Sequence, residues 1–288
     1  MKNLPVYDIT GLSEIRHNEV LVADFAPYLK NHHKLDIPHG HSFFHVVYFT
    51  QAAGNHVIDF DKYELKPFQI YFMIPGQVHN WEFEGQAEGY VLNFSNAFFQ
   101  SFLLRTEYVE DFPFFQGIIK SSIIDVPESL RPKIKSLFDE MLEIRSSINN
   151  YDDLRVLMLQ LFFKIAGLNH GLAVNGPSSH NVTLLRTFQK LIEKNFTTLT
   201  LPKEYAELLF VTPNHLNSLC THMLGISAGE LIRKRILLEA KRLLVNLDLP
   251  ISQIAWQLNF SDNSYFSKFF KKQEGVTPEV FRKQIMKS

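Results

Sequence analysis

Residues 251–284, ISQIAWQLNFSDNSYFSKFFKKQEGVTPEVFRKQ, constrain the fold most, because they read as helix, tight turn, helix, turn, helix. Ile251, Ile254, Ala255 and Leu258 give the first helix an apolar stripe. Asn259 to Asp262 form a polar turn around Phe260, and Ser261 or Asp262 is placed to cap the next helix by accepting a free backbone N–H. In that helix Tyr265, Phe266, Phe269 and Phe270 share one face, expected to point inward. Asn263, Ser264, Ser267, Lys268 and Lys271 share the other, and Lys272 follows near the helix end. Gly275 suits the left-handed residue that ends a helix. Thr277 and Pro278 supply the cap and first-turn proline of the next. An outer face of amides, hydroxyls and ammonium groups suits a DNA major groove. A three-helix bundle with a solvated lysine face explains the same pattern, so a single copy decides nothing.

The pattern occurs twice. In residues 204–234, Ala206 matches Ala255 and Leu209 matches Leu258. After a one-residue difference in the turn, Leu216 matches Phe266, Leu219 matches Phe269 and Gly225 matches Gly275. Thr212 and Pro213 open the second helix of this copy. Its inward face is Leu216, Leu219, Cys220 and Met223, and its outward face is Asn214, Asn217, Ser218 and Thr221, with His215 beside them. Between the copies, residues 227–246 form one long helix opened by a Ser227–Glu230 capping box. At 1.5 Å per residue that rod is about 30 Å long, against about 34 Å for a turn of duplex. It can set two reading helices into successive major grooves.

Residues from about 184 to 285 resemble the DNA-binding domain of the AraC/XylS family of bacterial transcription regulators. The residues carrying the resemblance are Ile254-Ala255, Asn259 to Asp262, Ser264 to Lys272, Gly275, Thr277-Pro278 and Phe281-Arg282. It implies two helix-turn-helix units, at 203–224 and 252–272, that bind promoter DNA. It also implies contact with RNA polymerase, and activation more often than repression. Base or phosphate contacts are expected from Asn214, His215, Asn217, Ser218, Thr221, Asn263, Ser264, Ser267, Lys268, Lys271 and Lys272.

Charge separates two unlike halves. Residues 180–288 hold 15 Lys and Arg against 9 Asp and Glu, whereas residues 1–179 hold 14 against 21. A basic unit tied to an acidic one fits a nucleic-acid binder with a separate control domain. Cys220 sits on an apolar helix face and reads as packed core in a reducing compartment. The N-terminus has no apolar signal core, and the most apolar helix, VLMLQLFFKIAGL, is too short to span a bilayer. A cytoplasmic protein with no membrane partner is expected.

Residues 1–126 read as short strands with turn signals between them, favouring a sandwich or barrel. HGHSFFHVV places His39, His41, Phe43 and His45 on one parity, and PGQVHNWEF does the same for His79, Trp81 and Phe83. The pair resembles the two halves of a cupin jelly roll. In metal-binding cupins two His, a Glu and a later His hold a metal; here His45 stands where Glu is expected. Sensor domains of AraC-type regulators commonly take this fold, often without metal. The histidines could bind a metal, line a small-molecule pocket, or hydrogen-bond structurally. On a straight strand His41 and His45 lie about 13 Å apart. The expectation is therefore no stoichiometric metal and no cofactor, with His39, His41, Phe43, His45, His79 and Trp81 lining a pocket.

Residues 128–147 and 152–169 read as two amphipathic helices joined at Asn149-Asn150. In the family such a hairpin is a usual dimer contact, expected through whichever of Leu157, Leu161 or Ile165 is exposed on the monomer. The alternative is that it only packs on the barrel. The organisation expected is α+β and multidomain: a cupin-like ligand-sensing jelly roll over 1–126, a helical hairpin over 127–170, a linker over 171–181 and an all-α DNA-binding domain over 182–288. The function expected is a homodimeric, sequence-specific transcriptional regulator controlled by a small-molecule effector, not an enzyme. Two rivals are a metal-dependent cupin enzyme with an accessory helical domain and a ligand-independent DNA binder.

Overall fold

The structure is a computed structural model, and it describes residues 5–9, 19–32, 35, 37–100, 102–103, 108–117, 119–144, 151–169 and 179–285. The expected Asn149-Asn150 turn and residues 171–178 of the expected linker lie outside that set. The chain forms two compact units, Pro5–Val174 and Asn175–Ser288.

The N-terminal unit is a two-sheet β structure, as the strand spacing implied. One sheet has the order β1 (Val6–Tyr7), β3 (His39–His41), β8 (Val78–Phe83), β5 (Gly54–Ile58), β6 (Asp61–Glu64). The other has β10 (Ile123–Asp125), β7 (Gln69–Met73), β4 (Phe44–Gln51), β9 (Glu88–Phe94), β2 (Val20–Asp24). The run FHVVYF in β4 is buried at every residue. The reason is that both faces of its sheet are covered, the condition under which strands become continuously apolar. Val47 and Phe49 point between the sheets, among Phe43, Tyr71, Trp81 and Ile58. Phe44, Val46 and Tyr48 point outward, into a second core with two helices, α4 (Arg131–Ile144) and α5 (Tyr151–Asn169).

That second core explains the hairpin. Ile134, Leu137, Phe138 and Met141 of α4 and Leu154, Met158, Leu161, Phe162 and Ile165 of α5 bury against the outer face of the sheet. Phe162 alone lies within ring contact of Phe72, Phe94, Phe99, Phe112, Phe114 and Phe115. The phenylalanine-rich stretch after β9 is the filler between hairpin and sheet. Some local expectations were off. Phe25–Asn31 is a helix, α1, within the region read only as short strands and turns. The straight strand expected to carry His41 and His45 is broken at Ser42-Phe43, where the chain passes from one sheet to the other.

Seven helices make up residues 179–285: α6 (Ser179–Asn195), α7 (Pro202–Leu208), α8 (Pro213–Leu224), α9 (Ala228–Val245), α10 (Ile251–Gln257), α11 (Asn263–Glu274) and α12 (Pro278–Ile285). Remaining helices α2 (Asn96–Gln100) and α3 (Ile119–Ser122) are short pieces of the N-terminal unit. The caps are those the sequence offered. Thr212 Oγ1 accepts from His215 N, Ser227 Oγ from Glu230 N, and Asp262 Oδ1 from Tyr265 N. Gly225 and Gly275 end α8 and α11 at φ 73° and 85°, where only glycine is unstrained. Helix α9 is shared. Its Ile232 and Ile236 join the core formed with α6, α7 and α8. Further along, Ala240 and Leu244 are buried where α10, α11 and α12 contact the same helix.

The duplication extends to backbone geometry. Val211 N donates to Ala206 O and Phe260 N donates to Ala255 O, the same bond at matching positions. Phe210 and Asn259, also matching, are both left-handed, at φ 55° and 59°. The extra residue of the second turn is therefore Ser261. Asn tolerates that conformation, but Phe does not, and the Phe210 ring is 96% exposed, so no burial compensates. Phe210→Asn should stabilise the chain by about 1 kcal/mol, by relief of the left-handed penalty. The check is the urea midpoint of the C-terminal transition, which should rise; an unchanged or lower midpoint would show that Phe210 carries no strain.

Candidate nucleic-acid interface and histidine-lined interior

The two reading helices expose polar side chains at equivalent positions. On α8, Asn214, His215, Asn217, Ser218 and Thr221 are all exposed, while Leu216, Leu219 and Cys220 are buried. Burial pushes the Cys220 thiol up to about 11, in keeping with an inert core residue. Two members of the outward set are engaged locally. Asn217 Oδ1 accepts from Ala228 N at 3.2 Å, tying α8 to the start of α9. Thr221 Oγ1 donates to Asn217 O at 2.9 Å. Asn214, at the N-terminal end of α8, is thereby a cleaner candidate for reading a base than Asn217.

On α11, Asn263, Ser264, Lys268, Lys271 and Lys272 are exposed, and Ser267 is half-buried. Tyr265 was expected to point inward and does not: it is 59% exposed. Phe260, from the turn, fills that inner place, with its ring 5.3 Å from Phe266 and 5.1 Å from Phe269. Tyr265 lies on the outside of Phe260, 5.6 Å from it, and joins Ser264 and Lys268 on the accessible surface. The Asp262 carboxyl at the head of α11 is held below its usual range by the N–H of Tyr265. Lys271 and Lys272 occupy the last turn, where cations complement the helix dipole. Arg282 serves the fold, donating to Leu244 O and Leu249 O.

In the other unit, every residue proposed for the pocket is buried. His39, His41, Phe43, His45 and His79 are at most 2% exposed and Trp81 9%. The chain bend at Ser42-Phe43 brings the rings of His41 and His45 to 4.9 Å, where a straight strand would have kept them far apart. His79 lies 4.9 Å from His41 and 5.3 Å from His45, ring to ring. His41 Nε2 and His79 Nε2 are 2.8 Å apart. The sequence reading missed His56, which is fully buried, stacks on Trp81 at 3.5 Å and meets His79 Nδ1 through its Nε2 at 2.9 Å. Its signal was present: in β5 it alternates in phase with Ile58, which also points inward. Burial is the main cause pulling His41, His56 and His79 well below the usual histidine range, and His45 down to about 4. All four are neutral at neutral pH. The nitrogens that could hold a metal are those of His39, His41 and His79, which lie within 4.8 Å of one another.

Two family models match the chain, and they meet at its two units. An AraC-like ligand binding domain covers residues 23–158, and a helix-turn-helix domain covers residues 205–284. The chain belongs to the AraC family of transcriptional regulators. Among curated relatives, the regulatory protein PocR of Salmonella typhimurium is 27% identical over 110 residues, 38% of this chain and 36% of PocR. The arabinose operon regulatory protein of Salmonella typhimurium is 22% identical over 229 residues, 77% of each chain. A solved structure, the C-terminal domain of AraT, a response regulator from Geobacillus stearothermophilus, is 34% identical over 35% of this chain and 84% of its own, with a TM-score of 0.33. The match spans little more than a third of the first two curated relatives, at 36% and 38% of their lengths.

Within this AraC-family chain the helix-turn-helix match takes in α8 and α11 whole, and the ligand-binding match takes in His39, His41, His45, His56 and His79. Lys268→Ala should relax base preference at one position, at a cost of about 1–3 kcal/mol there. Lys272→Ala should weaken all sequences about equally and flatten the salt dependence, as loss of a phosphate contact does. Asn214→Ala should alter a different position, about one helical turn of DNA away. Selection of bound sites from randomised duplexes checks all three. Preference profiles identical to the unmodified chain for Lys268→Ala and Asn214→Ala would mean that these helices do not read sequence.

Proposed function

We propose that this chain is a transcription activator that reads promoter DNA with α8 and α11, works as a homodimer, and is controlled by a small effector held in its N-terminal unit. The observation that carries the reading is the paired arrangement of exposed amide, hydroxyl and lysine side chains on two equivalent helices fixed to one rod. At 1.5 Å per residue, the 18 residues of α9 span about 27 Å, close enough to one turn of duplex for both helices to enter successive grooves. The excess of cations in residues 180–288 supplies the sequence-independent part of the affinity. Control follows if the effector favours one arrangement of the two units over another, since a ligand that binds all states equally shifts nothing. Activation implies RNA polymerase as the second partner. The match of residues 23–158 to an AraC-like ligand binding domain supports control by a small molecule.

No helix among the described residues is long and apolar enough to cross a membrane. The test of the function is to map bound DNA across the genome and measure transcription with the protein removed. Bound promoters should lose transcription; bound sites remote from promoters, or transcripts that do not change, would contradict the reading.

Dimerisation needs a different surface from the one the sequence named. Leu161 and Ile165 are fully buried in the barrel-facing stripe of α5, and Leu157 is half-buried. The two apolar stripes are broad because they cover a sheet, not because they await a partner. The opposite face of α5 exposes Val156 and Phe163, at 43% and 53%. If this face pairs protomers, Val156→Glu and Phe163→Glu should shift sedimentation of the chain from dimer to monomer. Monomeric behaviour of the unmodified chain at every accessible concentration, with and without DNA, would refute it.

A further inference from the structure

The first reading helix lacks what the second carries. Helix α11 presents Lys268, Lys271 and Lys272, whereas α8 contains no lysine or arginine. Phosphate contacts supply nearly all of the sequence-independent affinity for DNA and hold a reading element in register. A module whose reading helix has no cation takes them from neighbouring elements. On α9 several cations are committed to the fold. Arg235 meets Glu193 and Glu239, Arg242 meets Glu239, and Lys241 meets Glu274. Lys234 lies 3.6 Å from Glu230. Arg233 is different: it is exposed and, among the described residues, makes no hydrogen bond or ion pair.

Where Arg233 lies follows from its helix. Side chains on a helix lean toward its N-terminus, so Arg233 covers the turn before its own. A Cβ added at Gly229 would meet Arg233 Nη1 at 3.1 Å and Pro202 Cγ at 3.4 Å, so the guanidinium and the start of α7 border the same small space. Lys203 follows Pro202 in α7, and it too is exposed and, among the described residues, without an ion pair. The reading face of α8 adjoins this spot, because Ala228 N donates to Asn217 Oδ1 at 3.2 Å and Asn217 is exposed. The starts of α7 and α9 therefore place two uncommitted cations at the edge of the helix that has none.

We propose that Arg233 and Lys203 form a phosphate-binding pair that anchors the first helix-turn-helix unit to the DNA backbone beside the groove α8 enters. The proposal rests on α8 as a reading helix and adds the backbone contact that holds it in register. A guanidinium suits the task because its planar fork takes two phosphate oxygens at once, whereas the Lys203 ammonium acts as a point charge. Gly229 leaves the guanidinium its place, since any side chain there would crowd it.

The test uses the full chain on a duplex site that it has selected from randomised DNA. Ethylating single phosphates shows which of them the protein needs, and affinity measured against salt counts them. Arg233→Ala and Lys203→Ala should each reduce the slope of log affinity against log salt by about one. Each should also abolish interference at a phosphate flanking the base pairs whose preference Asn214→Ala alters, while the phosphates flanking those altered by Lys268→Ala still interfere. Arg233→Lys should retain the slope, because the charge is kept. Both side chains are exposed, so the unfolding midpoints should stay unchanged; should Arg233→Ala fail to fold, Arg233→Gln, which keeps the aliphatic stem, takes its place. An unchanged slope and interference pattern in either variant, or interference lost on the α11 side instead, would overturn the proposal and leave α8 as a reading helix. A chain that selects no site at all would overturn the reading of α8 itself, and the proposal with it.

Discussion

The N-terminal unit depends on one sheet being dry on both sides. β4, β7 and β9 bury alternate residues against the opposite sheet and the rest against α4 and α5. Each fully buried phenylalanine contributes about 1.5–3 kcal/mol, and the core of the hairpin is built largely of such rings. The interior between the two sheets also holds the buried imidazoles. Among the described residues, His41, His45, His56 and His79 meet one another and Asn93.

The C-terminal unit solves a different problem. Two small helix-turn-helix modules each have too little surface to make a core alone, and both fasten to α9. Its first half carries Ile232 and Ile236, its second half Ala240 and Leu244. Ion pairs tie the middle and the second half of the rod to neighbouring helices. Arg235 meets Glu193 at 2.7 Å and lies 4.0 Å over the Phe196 ring, while Lys241 meets Glu274 of α11 at 2.8 Å. The stiffness of one helix thus becomes the spacing of two reading surfaces.

The C-terminal half was the more legible because helical periodicity, caps and the internal repeat act over a few residues. Thr212, Ser227, Asp262, Gly225 and Gly275 all do locally what their side chains dictate. Tyr265 was misplaced because the competitor for its inner position, Phe260, comes from the preceding turn. The strands were legible as strands, and the inward parity of His39, His41, His45 and His79 held. The break at Ser42-Phe43 was not legible: it arises from the chain changing sheets, a property of topology and not of the local sequence. His56 joined the cluster from a strand 23 residues before His79 in the sequence, and only the pairing of β5 with β8 brings them together. The broad stripes of α4 and α5 fitted either a second protomer or the barrel, because the outer face of the sheet they cover could not be foreseen.

The central claim is that α8 and α11 enter successive major grooves on one side of the duplex. Methylation protection of guanine N7, which lies in the major groove, measures this directly with the full chain on a DNA site it selects. Two protected windows about one helical turn, or roughly 34 Å, apart per bound protomer are expected. The window facing α11 should be lost in Lys268→Ala and the other kept. A single window, or protection confined to the backbone with major-groove N7 atoms reactive throughout, would contradict the account.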